Sequence, residues 1–237
     1  MFVLTPILDA LRLLDAIRLK KPRAAIVTEK MQCKSYLKII AYLWGRAVLV
    51  VIMCLIGGIS LADIGFRPMA FNHNIWFTVI TLVIGGLAFV YFIYELMASL
   101  ASINFKEQIK EQYANDSQGD LSMLPRTGKE KRLYSLIAVS SAICEETVYR
   151  GFLLFLLLEL FPGIPIFLIF SITFVTFGVA HLYKGMKGII EAGLMAIVFM
   201  GLLIVTDSLI FVMLLHFIVN FSSTFMLSEE QGAGVAA

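Results

Sequence analysis

Two adjacent carboxylates, Glu145 and Glu146, stand in the stretch Ala142-Ile143-Cys144-Glu145-Glu146-Thr147-Val148-Tyr149-Arg150-Gly151, inside an otherwise apolar run. On a helix Glu146 and Arg150 are at i and i+4, so they form an ion pair along one face. Glu145 points about 100° away, with Tyr149 one turn above it and no cation of its own. Further along come Phe177-x-x-x-His181 and His216-x-x-x-Asn220. Each pair shares a helix face one turn apart. The chain has 3 histidines, and the third, His73, falls in a connection and is given no role.

These types support one kind of chemistry. A carboxylate and a neutral imidazole together take a proton from water. A second imidazole and an amide N–H₂ donate to the oxyanion that forms on an attacked carbonyl. Alternatively, carboxylate and histidine side chains hold a zinc ion that acidifies its bound water. Either route hydrolyses an amide bond. The sequence carries no G-x-S-x-G elbow and no H-E-x-x-H helix. Cys144 adjoins Glu145, but neighbours on a helix point apart. Cys33, Cys54 and Cys144 have no ligand-like spacing and read as small buried hydrophobes.

The elements that position these groups follow from composition. Of 237 residues, 59% are hydrophobic and 15% charged, which excludes an ordinary soluble domain and a disulfide scaffold. A net charge of +2 without a long basic run argues against nucleic acid as a partner. A membrane helix needs ~20 apolar residues. Six segments qualify, roughly 39–61, 75–103, 133–160, 164–182, 187–206 and 208–227, none alternating as a barrel strand does. The expected fold is all-α, a polytopic bundle of about six spanning helices. The segment 1–38 is set apart, because Asp9, Arg12, Asp15 and Arg18 recur every third position over Phe2–Leu19, the pattern of an amphipathic helix lying in the interface. The expected organisation is 1–38 interfacial, 39–132 two spans with a polar loop, 133–227 a four-helix catalytic core, and 228–237 a short tail.

Sixteen of the 19 Lys and Arg residues fall on one side of this arrangement. By the positive-inside rule that side is cytoplasmic, and an even number of spans puts both termini there. Helix rise sets Glu145 and His216 at comparable depth. His181 falls lower, so its helix must shift or tilt. The expectation is a cavity in the cytoplasmic half, open to water from that side.

The ordered set Glu145-Glu146-x-x-x-Arg150, Phe177-x-x-x-His181 and His216-x-x-x-Asn220 resembles the CPBP intramembrane proteases, the family of CAAX proteases and bacteriocin-processing enzymes. Gly151 fits that pattern, and Thr206-Asp207-Ser208-Leu209 is similar to the family's T-G-S-L element, with Asp207 in place of glycine. The resemblance is strong over about 133–227 and loose before it. It implies an endopeptidase whose catalytic set is Glu145, Glu146, His181, His216 and Asn220, supported by Arg150, Tyr149 and Phe177. Glu145 and His181 would activate water, and His216 and Asn220 would hold the oxyanion. The family is conventionally called metalloproteases, so a zinc ion on Glu145, His181 and His216 is one implied cofactor; a metal-free glutamate mechanism is the other. The implied partners are the lipid bilayer and a membrane-associated substrate, either a C-terminal CAAX-like peptide or a peptide leader. Readings from other classes are a non-catalytic immunity or scaffolding protein and a proton-coupled transporter.

Overall fold

Thr28 stops the chain from extending and starts the first helix. Its hydroxyl accepts from the Met31 amide, and α1 runs from there as Glu29–Gly57 until Gly58 turns left-handed at φ 65°. This start precedes the expected span by ten residues, because the cap lets Lys30, Lys34 and Lys38 occupy the first turns of the helix itself. The structure is a computed structural model, and it describes residues 28–71, 74–102 and 125–227. The expected interfacial helix, His73, the polar stretch 114–120 and the tail 228–237 lie outside the described residues.

The remaining elements are α2 Ile75–Ala101, α3 Gly128–Glu145, a π-helical segment Glu146–Phe152, α4 Leu153–Leu160, α5 Ile166–Ala180, α6 Gly185–Thr206 and α7 Leu209–Leu227. No strand occurs among the described residues, so the all-α fold holds. α3, the π segment and α4 are continuous and form one rod about 50 Å long. A capping box fixes its start: Thr127 accepts from the Glu130 amide, and the Glu130 carboxylate accepts from the Thr127 amide.

Six helical rods therefore stand where six apolar segments were expected. Three of them, α1, α2 and α6, are long and apolar enough to cross a membrane. α5 has 15 residues, about 22 Å, and falls short of a ~30 Å hydrocarbon core. His181 follows the last residue of α5.

The π segment is the hub. It contacts α1, α5, α6 and α7, and all seven of its residues are buried. α2 is the opposite case: it packs on α6 and α7 while Trp76, Ile80, Val83, Leu87 and Val90 stay exposed, as lipid-facing positions do. The main apolar core gathers Leu153, Leu157, Phe199, Met200, Leu203, Leu209 and Val212 around the α4 half of the long rod.

The connection after α1 folds inward. Ile64 is buried, and a Cβ added to Gly151 would sit 2.6 Å from the Ile64 carbonyl oxygen. The same connection is stitched to the α6–α7 turn. The Leu209 amide donates to the Gly65 oxygen at 2.8 Å, the Ala70 amide to the Thr206 oxygen at 2.8 Å, and the Ser208 hydroxyl to the Arg67 oxygen at 2.7 Å. Asp207 takes φ 54°, the conformation a glycine adopts freely. An Arg67–Asp207 ion pair and a bond from Arg67 Nε to the Asp207 oxygen at 3.1 Å hold it there.

Candidate functional site

Antiparallel register brings the chemistry together. α7 descends beside the rod so that Leu209 meets Gly151, His216 meets Glu145 and Glu146, and Asn220 meets Ser141. α5 descends on another side, with the Phe177 ring edge-on to Tyr149 at 5.1 Å. One turn further along α5, His181 comes to the height of Glu145.

His216 stands between the two glutamates. Its Nδ1 lies 2.6 Å from Glu146 Oε1, and its Nε2 lies 4.0 Å from Glu145 Oε2. Glu146 is fully buried and pairs with Arg150, also fully buried, at 3.3 Å. Two aromatic faces meet the rest of the Arg150 charge: Phe177 at 3.9 Å and Phe199 at 5.7 Å from the guanidinium carbon. Phe199 also packs its ring 5.5 Å from that of His216. The expected Glu146–Arg150 pair is present, and its main product is a carboxylate that fixes the ring of His216.

The π segment makes this possible. An α-helix sends adjacent side chains about 100° apart, whereas a π turn spreads its residues over a wider circuit. Glu145 ends α3 and Glu146 opens the π segment, so both carboxylates reach the same imidazole.

Glu145 also has a cation near it, contrary to the sequence-based expectation. Arg46, from α1, interacts electrostatically with Glu145. Its guanidinium lies over two rings, Tyr149 at 4.9 Å and Tyr42 at 5.3 Å. The signal for Arg46 is in the sequence, as a lone charge within an apolar span, but only the fold shows which carboxylate it serves. Ser141 and Phe199 are further members that no motif marks.

His181 and Asn220 add further contacts. His181 Nδ1 is 2.9 Å from the Phe177 carbonyl oxygen, and its ring stacks on Phe177 at 4.5 Å and Tyr183 at 5.9 Å. Asn220 Nδ2 donates to Ser141 Oγ at 2.8 Å. Among the described residues no group of three or more His, Cys, Asp and Glu side chains is placed to hold a metal ion. No step below passes through a metal.

Residues 132–222 match the family model described as type II CAAX prenyl endopeptidase Rce1-like. No curated protein and no solved structure matches the chain. The matched segment contains Glu145, Glu146, Arg150, Phe177, His181, His216 and Asn220, so it takes in the whole cluster except the α1 contribution of Arg46. Over residues 132–222 this integral membrane protein is therefore similar to the Rce1-like type II CAAX prenyl endopeptidases.

Proposed function

We propose that the protein is an intramembrane endopeptidase in which Glu145 takes a proton from water as that water attacks a peptide carbonyl. The observation that carries this reading is the approach of His216 Nε2 to Glu145 at 4.0 Å while its Nδ1 is held by Glu146 at 2.6 Å. In a neutral ring whose Nδ1 donates to a carboxylate, Nε2 presents a lone pair. Water lying beside both Glu145 and Nε2 then has two acceptors for its protons. The proton taken by Glu145 passes to the departing amine, and the products are a carboxylate and an amine.

Access from one end supports the same reading. The Ile64 connection and the α6–α7 turn close over Gly151, five residues beyond Glu146 and about 7 Å along the rod. Water and substrate therefore enter from the opposite end, where α5 stops at His181. By charge distribution that is the cytoplasmic side, with both termini on it. A C-terminal CAAX-like peptide or a leader anchored in the bilayer fits such an entry, since it offers an extended segment to a mid-membrane cleft.

The test compares membrane peptides by mass spectrometry between cells making the wild type and cells making Glu145→Ala at equal abundance. A precursor that accumulates in the variant, with its fragment present only in the wild type, is the expected result. Identical peptide inventories would sink the protease reading. Proton flux into liposomes that Glu145→Ala abolishes, without any fragment, would point instead to the carboxylate–imidazole–carboxylate chain as a relay.

A further inference from the structure

We infer that Ser141 is a positioning residue, whose hydroxyl turns the Asn220 side chain so that its amide N–H₂ meets the carbonyl oxygen of the scissile peptide bond as that oxygen gains charge. The inference rests on the hydrolytic reading above and adds how the oxyanion donor is aimed.

Two rungs join α3 to α7. Ser141 stands one turn before Glu145 in α3, and Asn220 stands one turn after His216 in α7. Residues i and i+4 share a helix face, so antiparallel helices that pair at one of these positions also pair at the other. His216 Nε2 faces Glu145 Oε2 at 4.0 Å in the first rung, and Asn220 Nδ2 meets Ser141 Oγ at 2.8 Å in the second. Four residues of helix rise separate the rungs by about 6 Å. The Asn220 rung lies toward the start of α3, the side from which substrate enters in this reading.

The hydroxyl settles which way the amide is turned. Ser141 Oγ donates its single hydrogen to the Ala138 carbonyl oxygen at 3.1 Å. Toward Asn220 it therefore presents lone pairs, which accept from N–H₂ and repel a carbonyl oxygen. Ser141 is buried, so bulk water does not compete for the bond. Nδ2 carries two hydrogens, and the bond to Ser141 takes one. The second leaves Nδ2 in the plane of the same amide, so fixing the first fixes its direction. With alanine at 141 neither orientation of the amide would be preferred.

The step balances without any change in Ser141. Water oxygen bonds to the carbonyl carbon, its proton goes to Glu145, and the C=O electron pair moves onto oxygen, which accepts from the second Asn220 N–H. Collapse restores the C=O, breaks the C–N bond and passes the proton from Glu145 to the amine. Ser141 touches no reacting atom; it acts through Asn220.

The test uses the full chain in liposomes and the peptide that wild type cleaves and Glu145→Ala does not. Ser141→Ala is expected to lower kcat about 10-fold with KM little changed, a fraction of the roughly 10²–10³ that a lost oxyanion donor costs. Asn220→Ala should lose that larger factor, and adding Ser141→Ala to it should lower kcat no further. Ser141→Thr keeps the hydroxyl and should hold kcat near the wild-type value. Unchanged kcat in Ser141→Ala would overturn the inference while leaving the protease reading intact. So would a rise in KM alone, or losses that multiply in the double variant, since Ser141 would then act otherwise than through Asn220. If no peptide separates wild type from Glu145→Ala, the hydrolytic reading falls and this one with it.

Discussion

Glu146 and Arg150 are the most deeply buried charges in the cluster, and their consequence is mechanical. Both side chains are 0% exposed, and the carboxylate serves the guanidinium and His216 Nδ1 with the same oxygen. Removing one partner leaves the other charge uncompensated, at a cost of roughly 3–5 kcal/mol. Glu146→Gln should therefore lower the unfolding midpoint in detergent sharply and release the orientation of His216. Asn220→Ala tests the other end of α7: it loses one neutral hydrogen bond to Ser141, worth about 1 kcal/mol, and should retain most of the stability. Sequence spacing was enough to pair Glu146 with Arg150, because i and i+4 contacts are local. It assigned water activation to Glu145 with His181 and left Glu145 without a cation. Finding Arg46 requires knowing which helices touch, and one helix at a time carries no such information.

At the scale of the elements, Gly151 shows how little tolerance the bundle has. An added Cβ would meet the Ile64 carbonyl oxygen at 2.6 Å and Leu209 Cδ2 at 3.0 Å, and backbone oxygen has no rotamer with which to yield. Gly151→Ala should cost about 1–3 kcal/mol and lift the Ile64 connection from the rod, seen as faster proteolysis between Ser60 and Phe66. The turn of that connection is held by Asp63, which accepts from the Ser60 amide at 2.8 Å and the Ser60 hydroxyl at 2.7 Å. Those bonds hold the Asp63 carboxyl below its ordinary value. Its contribution is therefore present above the unfolded pKa and is lost as pH falls through the folded one. The melting-temperature gap between wild type and Asp63→Asn should accordingly be open at neutral pH and close as pH falls below the usual carboxylate range. Helix positions were readable from apolar length alone. Helix ends were not: Thr28 begins α1 ten residues early, and the long rod changes to π at Glu146, where composition gives no mark.

For the whole molecule, the uneven distribution of Lys and Arg and the closed Gly151 end make one joint prediction. A cysteine placed beside His181, in a background lacking Cys33, Cys54 and Cys144, should react with polar reagents from the cytoplasmic side; labelling only from outside would reverse the proposed orientation. The proposed step makes another: prolonged treatment with chelator should leave peptide cleavage unchanged, and its loss with recovery on added zinc would contradict the metal-free step. The all-α bundle was legible because 59% hydrophobic content leaves few alternatives. The depth of the cluster was not, since it depends on α5 ending after 15 residues. The turn at Asp207 is instructive in the same way. Its φ of 54° suits glycine, and the ion pair from Arg67, 140 residues earlier, lets an aspartate stand there. Asp207→Ala removes the pair and keeps the strained backbone, so it should destabilise more than Asp207→Gly; equal melting temperatures would deny the pair that role.

A π segment is a helix with one residue more than an α-helix would use over the same height, and this one has a genetic consequence. Deleting a single codon, that of Thr147 for example, would return Glu146–Phe152 toward ordinary α geometry. α4 beyond it would keep its angular place, because the extra residue is absorbed within the π turns. The step from Glu145 to Glu146 would return to the ordinary α spacing of about 100°, and the two carboxylates would no longer both be turned to His216. The chain would keep its apolar lengths and its capacity to insert in the membrane, yet the shared imidazole would be lost.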